Sequence, residues 1–121
     1  MAPEQALGLD QDDARSDIYA VGCVAYWLLT GQLVFEGASS IEVLMHHART
    51  QPTPPSQRTE LPVPESLDRL ILSCLEKNPA RRPQSAVALS RRLSACASEL
   101  AWTEEKAVQW WERHWPASAV A

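Results

Sequence analysis

The side chains able to carry chemistry are few and poorly spaced for it. His46 and His47 are adjacent in "LMHHAR", and neighbours on a helix point about 100° apart. No H-x-x-x-H pattern or cysteine pair completes a metal shell around them, so two solvated histidines are expected. Cys23, Cys74 and Cys96 are odd in number and include no C-x-x-C. That argues against a disulfide framework or a zinc knuckle and for buried, reduced thiols. The only lysines are Lys77 and Lys106, in or beside carboxyl-terminal helices. Serine, histidine and aspartate all occur, but no G-x-S-x-G elbow or similar constellation presents a nucleophile. No catalytic, cofactor-binding or metal-ligating residue is assigned.

Composition narrows the classes further. A chain of 121 residues with 45% apolar content can bury one modest core. A net charge of -4 and a pI near 5.3 leave no basic footprint for nucleic acid or an anionic membrane. Residues 1–17 carry Glu4, Asp10, Asp12, Asp13 and Asp17 and lack an apolar stretch, which does not fit a secretory leader. The longest apolar run, 18–29, is broken by Gly22 and is shorter than the roughly 20 residues of a bilayer span. A cytoplasmic protein without a membrane segment is expected.

The elements read as an all-α fold of five or six helices. "SDIYAVGCVAYWLLTG" predicts a helix from Ser16 or Asp17 to Thr30, apolar all round and stopped by Gly31. It is expected to be the hub, enclosed by the other helices. Ser39 and Glu42 have capping-box spacing ahead of a second helix with Ile41, Leu44, Met45 and Ala48 on one face. Five prolines between Thr50 and Glu65 predict an extended surface connection without helix. Leu67, Leu70, Ile71, Cys74 and Leu75 form the inward stripe of a helix ending at "KNP"; Ala86, Leu89, Leu93, Cys96 and Leu100 form another. Arg91 and Arg92 fall on the opposite, solvated side of that last helix. In the tail "AWTEEKAVQWWERHWPA", Thr103 caps, Glu104 and Glu105 suit a helix start and Trp102 can staple onto Ala107. Its Trp110, Trp111, His114 and Trp115 carry too much aromatic area for solvent, so the tail is expected to fold back on the domain.

"APEQALG", then "ARSDIYAVGCVAYWLLTGQLVFEG", then "CLEKNPARRPQSAVAL" occur in this order. Over about residues 1–96 the chain resembles the carboxyl-terminal lobe of eukaryotic-like protein serine/threonine kinases, most closely the bacterial members. The resemblance implies a partial kinase domain over 1–100, with the tryptophan-rich helix as an extension over 101–121. It matches Ala2, Pro3 and Glu4 to the motif that closes the family's activation segment, and Arg82 to the arginine that pairs with that glutamate. A bidentate pair between residues so distant would fasten the first segment to the last helices. Asp17 matches the aspartate that receives catalytic-loop amides at the head of the family's central helix. Gly22 matches a small position that admits neighbouring backbone.

The same resemblance makes absences informative. Phosphoryl transfer in the family uses a glycine-rich loop, a strand lysine, an H-R-D-x-x-x-x-N loop and D-F-G, and this sequence contains none of them. "FEG" at 35–37 follows the central helix, and "HHAR" at 46–49 lacks an aspartate and lies after A-P-E. ATP and magnesium are therefore expected only for a full-length parent. Family members often carry a methionine just before A-P-E, so Met1 is expected to be an internal methionine of a longer kinase, with H-R-D and D-F-G encoded upstream. The implied role is a docking half that is inert alone, with Ile41, Leu44 and Met45 as contact or packing candidates toward a protein substrate. Its partners would be that substrate or the missing kinase portion. The alternatives are a stand-alone helical interaction module and a fragment without function.

Overall fold

A computed structural model describes residues 2–8, 13–99 and 104–114. Six α-helices are present among them and no strand: α1 (Pro3–Ala6), α2 (Ala14–Thr30), α3 (Ser40–Arg49), α4 (Glu65–Cys74), α5 (Ala86–Glu99) and α6 (Glu104–His114). The all-α class expected from the periodicities is what the chain adopts.

α2 is the axis on which the rest is assembled. It begins earlier than residues 16–17 because Asp13, not Ser16, is its cap: the Asp13 carboxylate accepts from the Arg15 amide at 2.7 Å. It ends where Gly31 takes the left-handed conformation, φ 68°, and donates to the Trp27 carbonyl at 2.7 Å. α4 lies against α2, and α5 packs on both. At the crossing of α2 and α4, a Cβ on Gly22 would stand 2.7 Å from the Cys74 Cβ. Only hydrogen fits there.

Two apolar clusters result. Tyr19, Tyr26, Val34, Phe35, Ile71 and Leu75 join α2, α4 and the loop after α2, with Ala2 brought in from the first segment. Ile18, Leu70, Cys74, Leu89 and Cys96 join α2, α4 and α5. The remaining side of α2 corrects the expectation of an enclosed hub. Val21, Val24, Trp27 and Leu28 form a stripe that is about half exposed or more, reaching 70% at Leu28. Among the described residues, this all-round apolar helix has its packed neighbours on one side only.

Other local expectations are met in altered form. Ser39 caps α3 through the Glu42 amide at 3.2 Å, but Glu42 reaches back to the Ala38 amide at 2.9 Å, one residue earlier than a capping box requires. The proline-rich connection contains a 3₁₀ turn, Pro55–Gln57, and Pro55 is fully buried. Arg58 fixes this connection to the end of α2, donating to the Leu33 carbonyl at 2.8 Å and the Tyr26 hydroxyl at 3.1 Å. α4 stops at Cys74, just before "KNP", and a 3₁₀ turn, Pro79–Arg81, follows with Asn78 as its cap. Leu93 is partly exposed on α5, while Leu100, Trp102, Thr103 and Trp115 lie outside the described residues. On α6, Val108 and Trp111 are more than half exposed, and the expected fold-back through Trp110, His114 and Trp115 rests on side chains outside those described.

Candidate functional site

α1 is a single turn held by its own ends. Pro3 occupies the first position, where no amide partner is needed, and the Gln5 side chain caps the Ala2 amide at 3.1 Å. Pro3 and Glu4 face inward. Arg82 follows the Pro79–Arg81 turn in extended backbone, φ -81° and ψ 164°. Across 78 positions of sequence, its guanidinium meets Glu4 in a fork: Nη1 to Oε2 at 2.8 Å and Nη2 to Oε1 at 2.9 Å.

The rest of the guanidinium is also used. Nη1 donates to the Arg15 carbonyl at 2.9 Å, Nη2 to that of Lys77 at 3.3 Å, and Nε to that of Glu76 at 2.8 Å. All five N–H groups therefore have acceptors, and the Tyr19 ring lies 4.9 Å from the guanidinium carbon. Arg82's side chain is 0% exposed and that of Glu4 4%. Burial pushes the Glu4 carboxyl up, but hydrogen bonds from Arg82 and Ser16 and the arginine's charge outweigh it, so the carboxyl is held below its ordinary value. The first segment, the head of α2 and the end of α4 thus converge on one side chain.

Other residues singled out by sequence lie elsewhere. Asp17 is exposed on the first turn of α2. Gly22 sits under α4 and has a packing role in this chain. On α3, Ile41 and Met45 point outward, Ile41 being 74% exposed, while Leu44 is half-buried. α1 packs against α3, so this outward face adjoins the segment that carries Glu4.

His47 corrects the expectation of two solvated histidines. It is buried, and its Nδ1 lies 2.7 Å from the Tyr19 hydroxyl. Phe35 stacks on His46 and meets His47 edge-on, with centroids 5.6 and 5.0 Å apart. Burial, with the positive charge of Lys77 nearby, brings His47 down to about 4. Lys77 lies over Phe35, 4.7 Å from Nζ to the centroid, and donates to the His46 carbonyl at 3.3 Å; burial lowers it to about 8. Sequence reading missed this cluster. A tyrosine inside an apolar helix was the available signal, since a buried hydroxyl requires a partner.

Lys77 is committed to a carbonyl and an aromatic face, and among the described residues no group of three His, Cys, Asp or Glu converges. The three cysteines are unbonded to one another.

Comparison with known proteins agrees with this architecture. The family model "Protein kinase domain" matches residues 1–93. The chain belongs to the protein kinase family. It is 45% identical over 100 residues to the serine/threonine-protein kinase pkn3 of Myxococcus xanthus, covering 82% of this chain and 18% of that protein. It is 49% identical over 86 residues to the serine/threonine-protein kinase PknB of Mycobacterium leprae, covering 71% of this chain and 14% of that protein. The probable serine/threonine-protein kinase CE0033 of Corynebacterium efficiens is 42% identical over 96 residues, 77% and 14% of the two chains. This kinase-family chain therefore spans less than a fifth of the length of these relatives. No helix among its described residues is long and apolar enough to cross a membrane.

Proposed function

We propose that this chain is the substrate-facing half of a protein serine/threonine kinase's carboxyl-terminal lobe, able to dock protein but unable to transfer phosphate alone. The observation that carries this reading is the bare stripe of α2. A helix with Tyr19 and Tyr26 fully buried on one side and Val21, Val24, Trp27 and Leu28 uncovered on the other has the surface of a core element lacking one neighbour. The rest of a kinase domain, which would include the phosphate-gripping segments this sequence lacks, is the partner that supplies it. Asp17, exposed at the head of the same helix, is then free to receive catalytic-loop amides from that partner. Residues 1–100 form the kinase part and 101–121 an extension of it.

Docking falls to the outer face of α3, where Ile41 and Met45 are exposed beside α1 and Leu44 packs beneath them. The clasp between Glu4 and Arg82 serves this role by fixing α1, against which α3 leans. Incubating the purified chain with magnesium, labelled ATP and a basic protein substrate is expected to give no transfer above background. Appreciable transfer would end this reading.

A further inference from the structure

α4 and α5 leave a half-open cleft of about 260 Å³ between them, lined by Ser66, Arg69, Arg92, Ala95 and Cys96. Two cations share this cleft in a chain whose net charge is -4, so any pull on an anion comes from the local pair and not from the field of the whole molecule. Arg92, expected on the solvated side of α5, instead reaches across to α4. Its Nη1 donates to the Ser73 hydroxyl at 3.0 Å, and that hydroxyl gives its own proton to the Leu70 carbonyl at 2.6 Å. The serine oxygen can therefore only accept from Arg92, which fixes the guanidinium at the cleft wall. Among the described residues Ser73 takes one of its five N–H groups and leaves four.

Arg69 enters from α4 and meets the Glu65 carboxylate one turn back. The two side chains of that pair are 73% and 77% exposed, so it holds the arginine weakly and yields to a stronger anion. Asp68, the other acid in the first turn of α4, is occupied by the Ser56 amide at 3.0 Å and the Ser56 hydroxyl at 2.7 Å.

We infer that this cleft binds one phosphate dianion, free or as a monoester, gripped by Arg69 from α4 and Arg92 from α5. Charge selects the ligand class. A phosphate group carries nearly two negative charges at pH 7 and three acceptor oxygens, enough for two guanidinium forks. A single carboxylate offers one charge and two oxygens, and would leave one arginine unmatched. Ala95 and Cys96 add an uncharged wall beside the arginines, which accommodates the carbon of an ester and not a second anion. The site uses no residue of α3, so it stands or falls independently of the docking reading above.

The test titrates the whole chain with inorganic phosphate and with N-acetyl-O-phospho-L-serine amide at constant ionic strength, which keeps screening fixed. N-acetyl-L-aspartate amide is the carboxylate control. Both phosphate probes are expected to shift the Nε–H NMR signals of Arg69 and Arg92 saturably, and the control is expected to bind about tenfold more weakly. Arg69→Gln and Arg92→Gln are each expected to weaken phosphate binding about tenfold. Arg91→Gln, at the exposed neighbour that does not line the cleft, is expected to leave it unchanged. Tighter binding of the phosphoserine amide than of inorganic phosphate assigns the site to a phosphorylated side chain; equal or weaker binding assigns it to the phosphate group alone, and either supports the proposal. It is overturned if the folded wild-type chain shows no saturable shift at the two arginines. It is equally overturned if the aspartate control binds as well as phosphate, or if Arg91→Gln weakens binding as much as Arg92→Gln.

Discussion

Arg82 closes five hydrogen bonds and one aromatic contact from a side chain with no exposed surface, so its loss is felt mainly through what it leaves behind. Arg82→Ala strands the Glu4 carboxylate and three carbonyls in the interior, and removing one partner of a buried pair costs about 3–5 kcal/mol. Arg82→Lys keeps the charge but has no fork, and three donors cannot serve five acceptor positions. We expect it to recover only part of the loss. Urea unfolding of the three chains measures both, and an Arg82→Lys midpoint equal to wild type would show that the fork geometry is unimportant. His47 makes a second prediction at this scale. Its folded value of about 4 lies below the unfolded value of about 6.5, so the unfolded chain binds the extra proton first. The stability His47 contributes is complete above about pH 6.5 and falls progressively toward pH 4. Glu4, also held low, adds acid sensitivity that begins as pH falls through the ordinary carboxylate range and continues below it. The urea midpoint is expected to decline between pH 6.5 and 4 in wild type and to decline less in His47→Gln.

At the scale of elements, the sequence was most informative where periodicity and punctuation agreed. α4 and α5 follow from stripes of leucine, isoleucine and cysteine, and the end of α2 follows from Gly31. The start of α2 was misread because Asp13, Ser16 and Asp17 are all good caps, and only the Asp13 carboxylate is found on a free amide. The inward side of α3 was misread for a different reason. Two adjacent histidines were expected in solvent, yet His47 is buried, with the Tyr19 hydroxyl satisfying its nitrogen. Spacing alone could not pair Glu4 with Arg82 across 78 positions, and only the resemblance to a family named both. Gly22 is where two elements constrain one residue most tightly. Gly22→Ala removes a helix-propensity penalty of about 1 kcal/mol but drives a methyl to 2.7 Å from the Cys74 Cβ. Overpacking costs typically 1–3 kcal/mol, and both helices are anchored by core side chains on either side of the contact, so the clash is expected to win. Thermal unfolding should show a lower midpoint for Gly22→Ala, with Gly22→Ala/Cys74→Ala losing less than the two single effects added together. A higher midpoint for the single variant would mean that α2 and α4 can slide apart at little expense.

For the molecule as a whole, one surface has to reconcile two demands. The stripe of Val21, Val24, Trp27 and Leu28 contributes little to the chain's own core, since each side chain already meets water. Exposed positions of this kind normally change stability by no more than about 0.5 kcal/mol on substitution. The same stripe is apolar, continuous along one helix and joined by Leu33 at the loop beyond it, which is the form of surface that drives self-association. Val24→Gln combined with Leu28→Glu therefore separates folding from association. Light scattering is expected to show less concentration-dependent assembly for the double variant, while its urea midpoint stays within experimental error of wild type. If the unfolding free energy instead falls by about 2 kcal/mol or more, α2 is covered on this side in solution and the one-sided hub is wrong. Placed in a complete kinase domain, the same pair of substitutions is expected to lower the midpoint sharply, because each polar group would then lie against the neighbour that α2 lacks here.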